Sequence, residues 1–534
     1  MRLRVFTNAA LLALLACACA PDRTTGVHKV APCSWSYFGD PRSVVHERHV
    51  FTACIGTDGR TVVEDYDLDT GERRLRTLFE PLEADDHNNP SLVFFRERLY
   101  AFSAPHSGYL YPRNRRSRMR YRVSQRAWAD GGGWGPTRTV PLGTGCGLGY
   151  TYPNPVVAGE RLYLFMRGPC WAPYFTSTAD GRRWAAPRTL VRSPSSSLQD
   201  GGGTRRVRPY AKYAGAPDGS IVMAFSDGHP ASFESSLYFL RFKDGRFLAA
   251  DGTQIGTVAD LPLRFDQLDR VEPYEAASGR AWPMDVAQDA DGMPVIAYSS
   301  LVGTSDTFRY ARWDGRRWRT RPIARAGQTL FSYHNSGVTL DHEDPSWVVL
   351  SRTIDGQNEI EARHTPDSGD SWCAVQLTRR SRAFNIRPVI PRGLSDPRRL
   401  VVLYVSGSAR SFREYDTDVV MATAERSPRP HRATDRLLTE LVRADDAGLQ
   451  RAAREQRPLL VLRHVGADAE QLEQTRQRAL HGVQRDDELV GDLPVRGNDA
   501  VLRQRAAERN EHPPLRGCQV RSGVGAGGSD GRGD

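Results

Sequence analysis

One unit recurs along this chain, and that recurrence constrains the fold more than any other feature. Copies open on a proline or glycine at Asn89-Pro90, Asn154-Pro155, Arg208-Pro209, Trp282-Pro283, Asn335-Ser336-Gly337 and Arg387-Pro388. Each opening leads to a short alternating run, among them Arg98–Phe102, Arg161–Phe165, Ser220–Phe225, Met293–Tyr298, Trp347–Leu350 and Leu400–Tyr404. Their shortness, their β-branched and aromatic content and their Gly, Asp and Pro borders predict strands. The openings fall about 50 to 75 residues apart, which is one four-stranded propeller blade or slightly more. With the unit around Trp35 to Gly71 there are seven before residue 425. The expected fold is therefore all-β, a seven-bladed β-propeller whose ring closes by pairing the first ordered strand with the last, around Asp418–Thr423.

Several units end in a turn that resembles an Asp-box. Thr365-Pro366-Asp367-Ser368-Gly369-Asp370-Ser371-Trp372 fits S/T-x-D-x-G-x-x-W throughout, while Asp180-Gly181 with Trp184 and Asp314-Gly315 with Trp318 keep the turn and the closing tryptophan. Aspartate caps turn amides, glycine takes the positive φ and tryptophan packs between sheets. These boxes are expected to be structural and not to touch substrate.

The two ends differ from the middle. Arg2 and Arg4, an apolar run from Ala9 to Ala16 and the small residues that follow read as an export signal over residues 1–20. Leu14-Leu15-Ala16-Cys17 resembles a lipoprotein cleavage box with Cys17 as the lipidated residue, and Ala18-Cys19-Ala20 offers ordinary cleavage instead. Residues 21–32 are expected as a linker and 33–425 as the propeller. All 48 aromatic residues lie at or before Tyr415, so 426–534 is expected as a low-complexity, partly helical or disordered tail. The expected localisation is outside the cytoplasm: periplasmic, on the cell surface or secreted. In that compartment disulfides are expected, Cys146 with Cys170 first and Cys33 with Cys54 second. No Cys-x-x-Cys spacing points to zinc, and His46 and His49, read as one strand, are expected on opposite faces. The net charge of +10 rests on arginine, with lysine only at positions 29, 212 and 243. It suits a polyanion, but no nucleic-acid motif accompanies it. The expected partner is an anionic polysaccharide, with no nucleic acid, membrane contact only through a lipid anchor, and a monomeric state.

Particular stretches carry a family resemblance: Trp35–Arg42, Tyr66–Gly71, Asp85-Asp86-His87-Asn88-Asn89-Pro90, Tyr150–Pro155, Leu162–Gly168, Arg208–Tyr213, Phe225–Pro230 and Leu340–Pro345. Over residues 33 to 425 the chain resembles the BNR-repeat propellers that include the ulvan lyases, polysaccharide lyases that cut a uronate-bearing glycan by β-elimination. The resemblance implies His87, His106, Tyr152 (or its neighbour Tyr150) and Arg167 as the catalytic group. It implies no cofactor for the chemistry and leaves a structural metal unassigned.

Those residue types suit the reaction. An arginine can neutralise the uronate carboxylate, and histidine or tyrosine can take the C5 proton and protonate the leaving C4 oxygen. Tyr150, Arg208, Tyr210, Lys212, His229, Asp285, His334 and Arg387 sit at strand starts or turns, where they would line a substrate groove. The run Arg113, Arg115, Arg116, Arg118, Arg120 and Arg122 could guide an anionic polymer toward it. Each residue also has a plain structural reading: histidines tying blades together, Arg167 paired with a buried acid, Tyr152 in the core. Two other functions compete with the lyase. One is a non-catalytic glycan-binding lipoprotein. The other, a sialidase-like hydrolase, shares Asp-boxes but needs an entry motif that Phe38–Arg42 does not supply.

Overall fold

The structure is a computed structural model that describes residues 26–426, except 107–118, 126–132, 144–148, 193–198, 201–202, 205–207, 232, 304 and 329–334. The expected export signal with Cys17, the tail beyond 426, Cys146, His334 and most of the arginine run lie outside the described residues.

Seven antiparallel sheets follow one another along the chain as the blades of a propeller. Blade one is Ser43–His46, His49–Ile55, Thr61–Asp67 and Arg73–Phe79; blade two is Ser91–Phe95, Arg98–Ser103, Arg120–Val123 and Arg138–Thr139. Blade three is Thr151–Ala158, Arg161–Arg167, Pro173–Thr178 and Arg188–Thr189. Blade four begins with Ala211–Gly215, Ile221–Ser226 and Leu237–Lys243 and is widened by three further strands, Arg246–Leu248, Gln254–Thr257 and Asp269–Glu272. Blades five and six start with Arg280–Gln288 and Val338–Leu340. Blade seven holds Phe384–Val389, Arg399–Ala409 and Tyr415–Glu425. Its fourth strand is Gly26–Ala31, paired antiparallel to Tyr415–Glu425 with Gly26 opposite Thr423 and Val27 opposite Ala422. The ring thus closes as expected. Residues 26–31, expected within a linker, are that closing strand, because the free edge of the last blade needs backbone partners.

The recurring prolines have a positional reason. The first strand of each four-stranded blade pairs on one side only, and proline, which donates no backbone hydrogen bond, is tolerated on such an edge. Three of these strands break register at their prolines: between Thr151 and Asn154, between Pro283 and Asp285, and between Ile386 and Val389. Bulges of this kind re-aim side chains. Tyr152 and Arg387 sit in two of them, each with positive φ, 58° and 53°.

The Asp-box turns act between blades. The Thr365 hydroxyl accepts from the Gly369 amide at 2.6 Å, and Asp367 accepts from the Ser371 amide at 2.7 Å. Trp372 packs edge-on to Tyr310 of the preceding blade, with centroids 5.4 Å apart. Trp184 meets Phe102 and Tyr121 of blade two edge-on, and Trp318 meets Phe239 of blade four at a tilt of 60°. Cys33 and Cys54 form a disulfide, and Cys170 is also disulfide-bonded.

Candidate functional site

The turn that opens blade two carries two carboxylates and a histidine. Asp85 caps a short 3₁₀ turn, Asp86–Asn88, by accepting from the His87 amide at 3.0 Å. The Asp85 side chain then serves two imidazoles. Its Oδ1 lies 3.0 Å from His87 Nδ1, and its Oδ2 lies 3.1 Å from His106 Nδ1. His106 comes from just beyond the second strand of the same blade, so two loops of one hairpin meet at one carboxylate. The rings stack with centroids 4.0 Å apart and planes within 1°. Asp86 Oδ1 also reaches His87 Nδ1 at 2.8 Å, while its Oδ2 pairs with Arg387.

The two imidazoles differ in proton affinity. Burial opposes charge on His87, but Asp86 and Asp85 outweigh it and hold His87 above its ordinary value. Burial and then the neighbouring His87 charge push His106 down to about 4, against the pull of Asp85. Burial would raise Asp85, yet His106 and His87 hold it well below the carboxylate range. At neutral pH His106 is therefore uncharged, and His87 holds a second ring proton more tightly than His106 does. An ionised Asp85 fixes the His106 tautomer with the proton on Nδ1, so Nε2 is a lone-pair acceptor. The His106 side chain is 26 % exposed, against 3 % for His87.

Blade three supplies the other half. The bulge sets the Tyr152 ring at 5.8 Å from His106 and 6.0 Å from His87. Arg167, at the end of the second strand, places its guanidinium carbon 4.2 Å from the Tyr152 ring centre and 4.5 Å from that of Trp171. Arg167 is 8 % exposed, and among the described residues no carboxylate lies within ion-pairing distance of it. Its structural reading, a pair with a buried acid, finds no such acid among the described residues. Phe38, from the segment before blade one, stacks on His87 at 5.1 Å and Tyr152 at 4.8 Å and lies 4.9 Å from Tyr210. A pocket beside them is lined by Phe38, Tyr152, Met166, Arg167 and Tyr210.

The remaining expected groove residues divide. Arg208 lies over Trp171 at 4.3 Å, and Tyr210 joins His229 and Trp282 in a run of rings with centroids 5.2 to 5.5 Å apart. These extend the aromatic floor beyond Arg167. Four others are corrections. Tyr150 packs edge-on to Tyr174 in the core between blades two and three, and burial pushes its hydroxyl up to about 12. Lys212 is buried against Asp40 and the Tyr37 carbonyl, and Arg387 against Asp86 and the Trp35 carbonyl. These cations tie the segment before blade one to the inner strands, since a buried charge needs a partner and the nearest acids supply one. Asp285 likewise accepts from the Thr339 hydroxyl and the Leu340 amide and pairs with His342.

Sequence reasoning missed Asp85 as the shared anchor, Phe38 as the floor, Trp171 as a wall and Phe412 as the ring set edge-on to both histidines. Only the doubled Asp85-Asp86 beside His87 was a usable signal. Asp85, His87 and His106 are the one group among the described residues whose His and acid ligand-type atoms gather within 4.8 Å. Both Asp85 oxygens are already engaged by imidazole nitrogens, so the trio is a hydrogen-bonded ion cluster.

Comparison with known proteins places this geometry in context. Residues 49–326 match the family described as BNR repeat-containing. No curated protein sequence matches the chain. The fold is similar to that of an ulvan lyase of polysaccharide lyase family PL25, solved alone and bound to -[GlcA(1-4)Rha3S]-. In both forms the identity is 15 %, the TM-score 0.57, and the match covers 75 % of this chain and 95 % of that one. The polysaccharide lyase Uly1 aligns at 12 % identity with a TM-score of 0.48, over 76 % of this chain and 95 % of that one.

Proposed function

The chain belongs to the BNR repeat-containing family, and from that premise we propose that it is a polysaccharide lyase that cuts an acidic, uronate-bearing glycan by β-elimination. The observation that carries the reading is Arg167, a nearly buried guanidinium cradled by aromatic faces, with no acid partner among the described residues, beside a stacked histidine pair. A buried cation without an acid favours an anionic ligand.

Arg167 takes the uronate carboxylate, which makes the C5 proton removable and stabilises the enolate-like intermediate. The neutral His106 accepts that proton at Nε2. The electron pair of the C5–H bond becomes the C4=C5 double bond, the C4–O4 bond breaks, and the Tyr152 hydroxyl donates a proton to O4. His87, held above its ordinary value by two carboxylates, supports the stack and disfavours a second proton on His106 until the reaction delivers one. Phe38 and Tyr210 offer apolar faces to the sugar rings. The likeness to the ulvan lyase supports ulvan as the first polymer to test. Export fits as well: the disulfide between Cys33 and Cys54 forms and persists in oxidising compartments, consistent with a signal over residues 1–20 and lipidation at Cys17.

Ulvan and other uronate polysaccharides mixed with the purified chain test the reading. A rise in ultraviolet absorbance from unsaturated uronate that is lost in His106→Ala and Arg167→Ala supports it. Binding without any rise, in folded protein, replaces it with the glycan-binding function.

A further inference from the structure

The hairpin between the last two strands of blade seven leaves its own blade and reaches the histidine pair. Its turn is closed by the Arg410 amide donating to the Glu414 carbonyl at 2.8 Å. From the turn the Phe412 carbonyl accepts from the Asp86 amide at 2.9 Å, which pins the hairpin to the 3₁₀ turn that carries His87. The Phe412 ring stands edge-on to both imidazoles, 5.0 Å from His87 and 5.4 Å from His106, at 83° and 82°. The next residue, Arg413, lies over the Phe412 ring and brings its Nε to 3.5 Å from Asp85 Oδ2, the oxygen that His106 uses.

We propose that this hairpin, through Phe412 and Arg413, is a positioning device for the histidine pair: Phe412 holds the two rings in stack, and Arg413 sets how strongly Asp85 acts on His106. The inference rests on the lyase reading of the site. Neither residue takes a proton from the sugar, so both are positioning residues.

The charged groups around the pair come from four elements. Asp85, Asp86 and Glu83 lie on the turn that opens blade two, Arg387 on the inner strand of blade seven, Arg167 on blade three, and Arg413 on the hairpin. Among them Arg413 is the cation on Asp85 that remains substantially open to solvent, with 44 % of its side chain exposed. Its influence is accordingly modest and weakened by salt. A cation at this carboxylate opposes protonation of His106, so removing it raises the proton affinity of the pair.

The test is kcat and KM on ulvan across pH for the full chain and for Arg413→Gln, Arg413→Lys and Phe412→Ala, with melting temperature as a check on folding. Arg413→Gln is expected to move the acid limb of kcat/KM upward by about half a unit at low salt, with KM nearly unchanged. Arg413→Lys is expected to restore the limb, and high salt to bring wild type toward the variant. Phe412→Ala is expected to lower kcat by about 10-fold or more at constant KM, because ring misplacement costs rate before binding. An unmoved limb in Arg413→Gln, or a rise in KM with kcat and limb intact, overturns the inference and makes the hairpin a polymer contact or a passive wall. If Phe412→Ala fails to fold, the Arg413 pair decides. An inactive wild type overturns the lyase reading instead, a result distinct from an active wild type whose variants match it.

Discussion

Asp85 binds both histidines with one carboxylate, and the consequence is an asymmetric pair. Buried His87 is held above its ordinary value because Asp86 and Asp85 outweigh its burial, and His106 is pushed down because burial and then His87 work against its charged form. If His106 is the base of the proposed elimination, activity is expected at neutral pH and is expected to be lost as pH falls through about 4, a limb that belongs to the coupled pair. A kcat/KM profile whose acid limb lies at the ordinary histidine value of about 6.5 contradicts this assignment. His106→Ala is expected to lower kcat by about 10²- to 10⁴-fold with little change in melting temperature. Asp85→Asn is expected to lower both rate and stability, since it removes the acceptor that two imidazoles share; a combined kinetic and thermal measurement checks this. That His87, His106, Tyr152 and Arg167 gather at one place was legible through the family resemblance that names them together. Phe38 and Phe412 were not, since an aromatic residue in a strand-rich chain looks the same whether it fills the core or floors a site. Lys212 and Arg387 were read as groove residues because sequence shows that a cation lies at a strand start without showing the acid, Asp40 or Asp86, that reaches it from another part of the chain.

At the scale of elements, proline at the inner edge does two jobs. It suits a strand with one free edge, and it comes with bulges that turn Tyr152 and Arg387 away from regular alternation. The openings were legible as a repeat, but the bulges were not, because register depends on the partner strand. The Asp-box turns lie apart from the cluster and tie blade to blade. Asp367→Ala, which removes its bonds to the Ser371 amide and hydroxyl, is expected to cost about 1 kcal/mol of stability and leave kcat unchanged. Thermal unfolding alongside turnover checks that separation, and a loss of kcat would place the box in the site after all.

At the scale of the whole molecule, the site needs the ring. Blade two holds the histidines, blade three Tyr152 and Arg167, blade seven the Phe412 hairpin, and the segment before blade one Phe38. Besides Lys212 and Arg387, that first segment is fastened by the closing strand Gly26–Ala31 and by the disulfide joining Cys33 to Cys54 across 21 residues. A crosslink of that span contributes about 3 kcal/mol in the loop-entropy account, so reduction is expected to lower the melting temperature by several degrees and to weaken turnover as Phe38 loosens. The seven units were legible because each repeats its own punctuation; the closing strand was not, because Gly26–Ala31 lacks an opening of its own. The central claim is that Arg167 and the histidine pair together perform an elimination. The most direct measurement follows unsaturated uronate formed from ulvan by wild type, His106→Ala and Arg167→Ala at matched folding. Wild type is expected to form product, and each variant to lose at least about 100-fold of that rate. Undiminished product from either variant, or none from a folded, glycan-binding wild type, would contradict it.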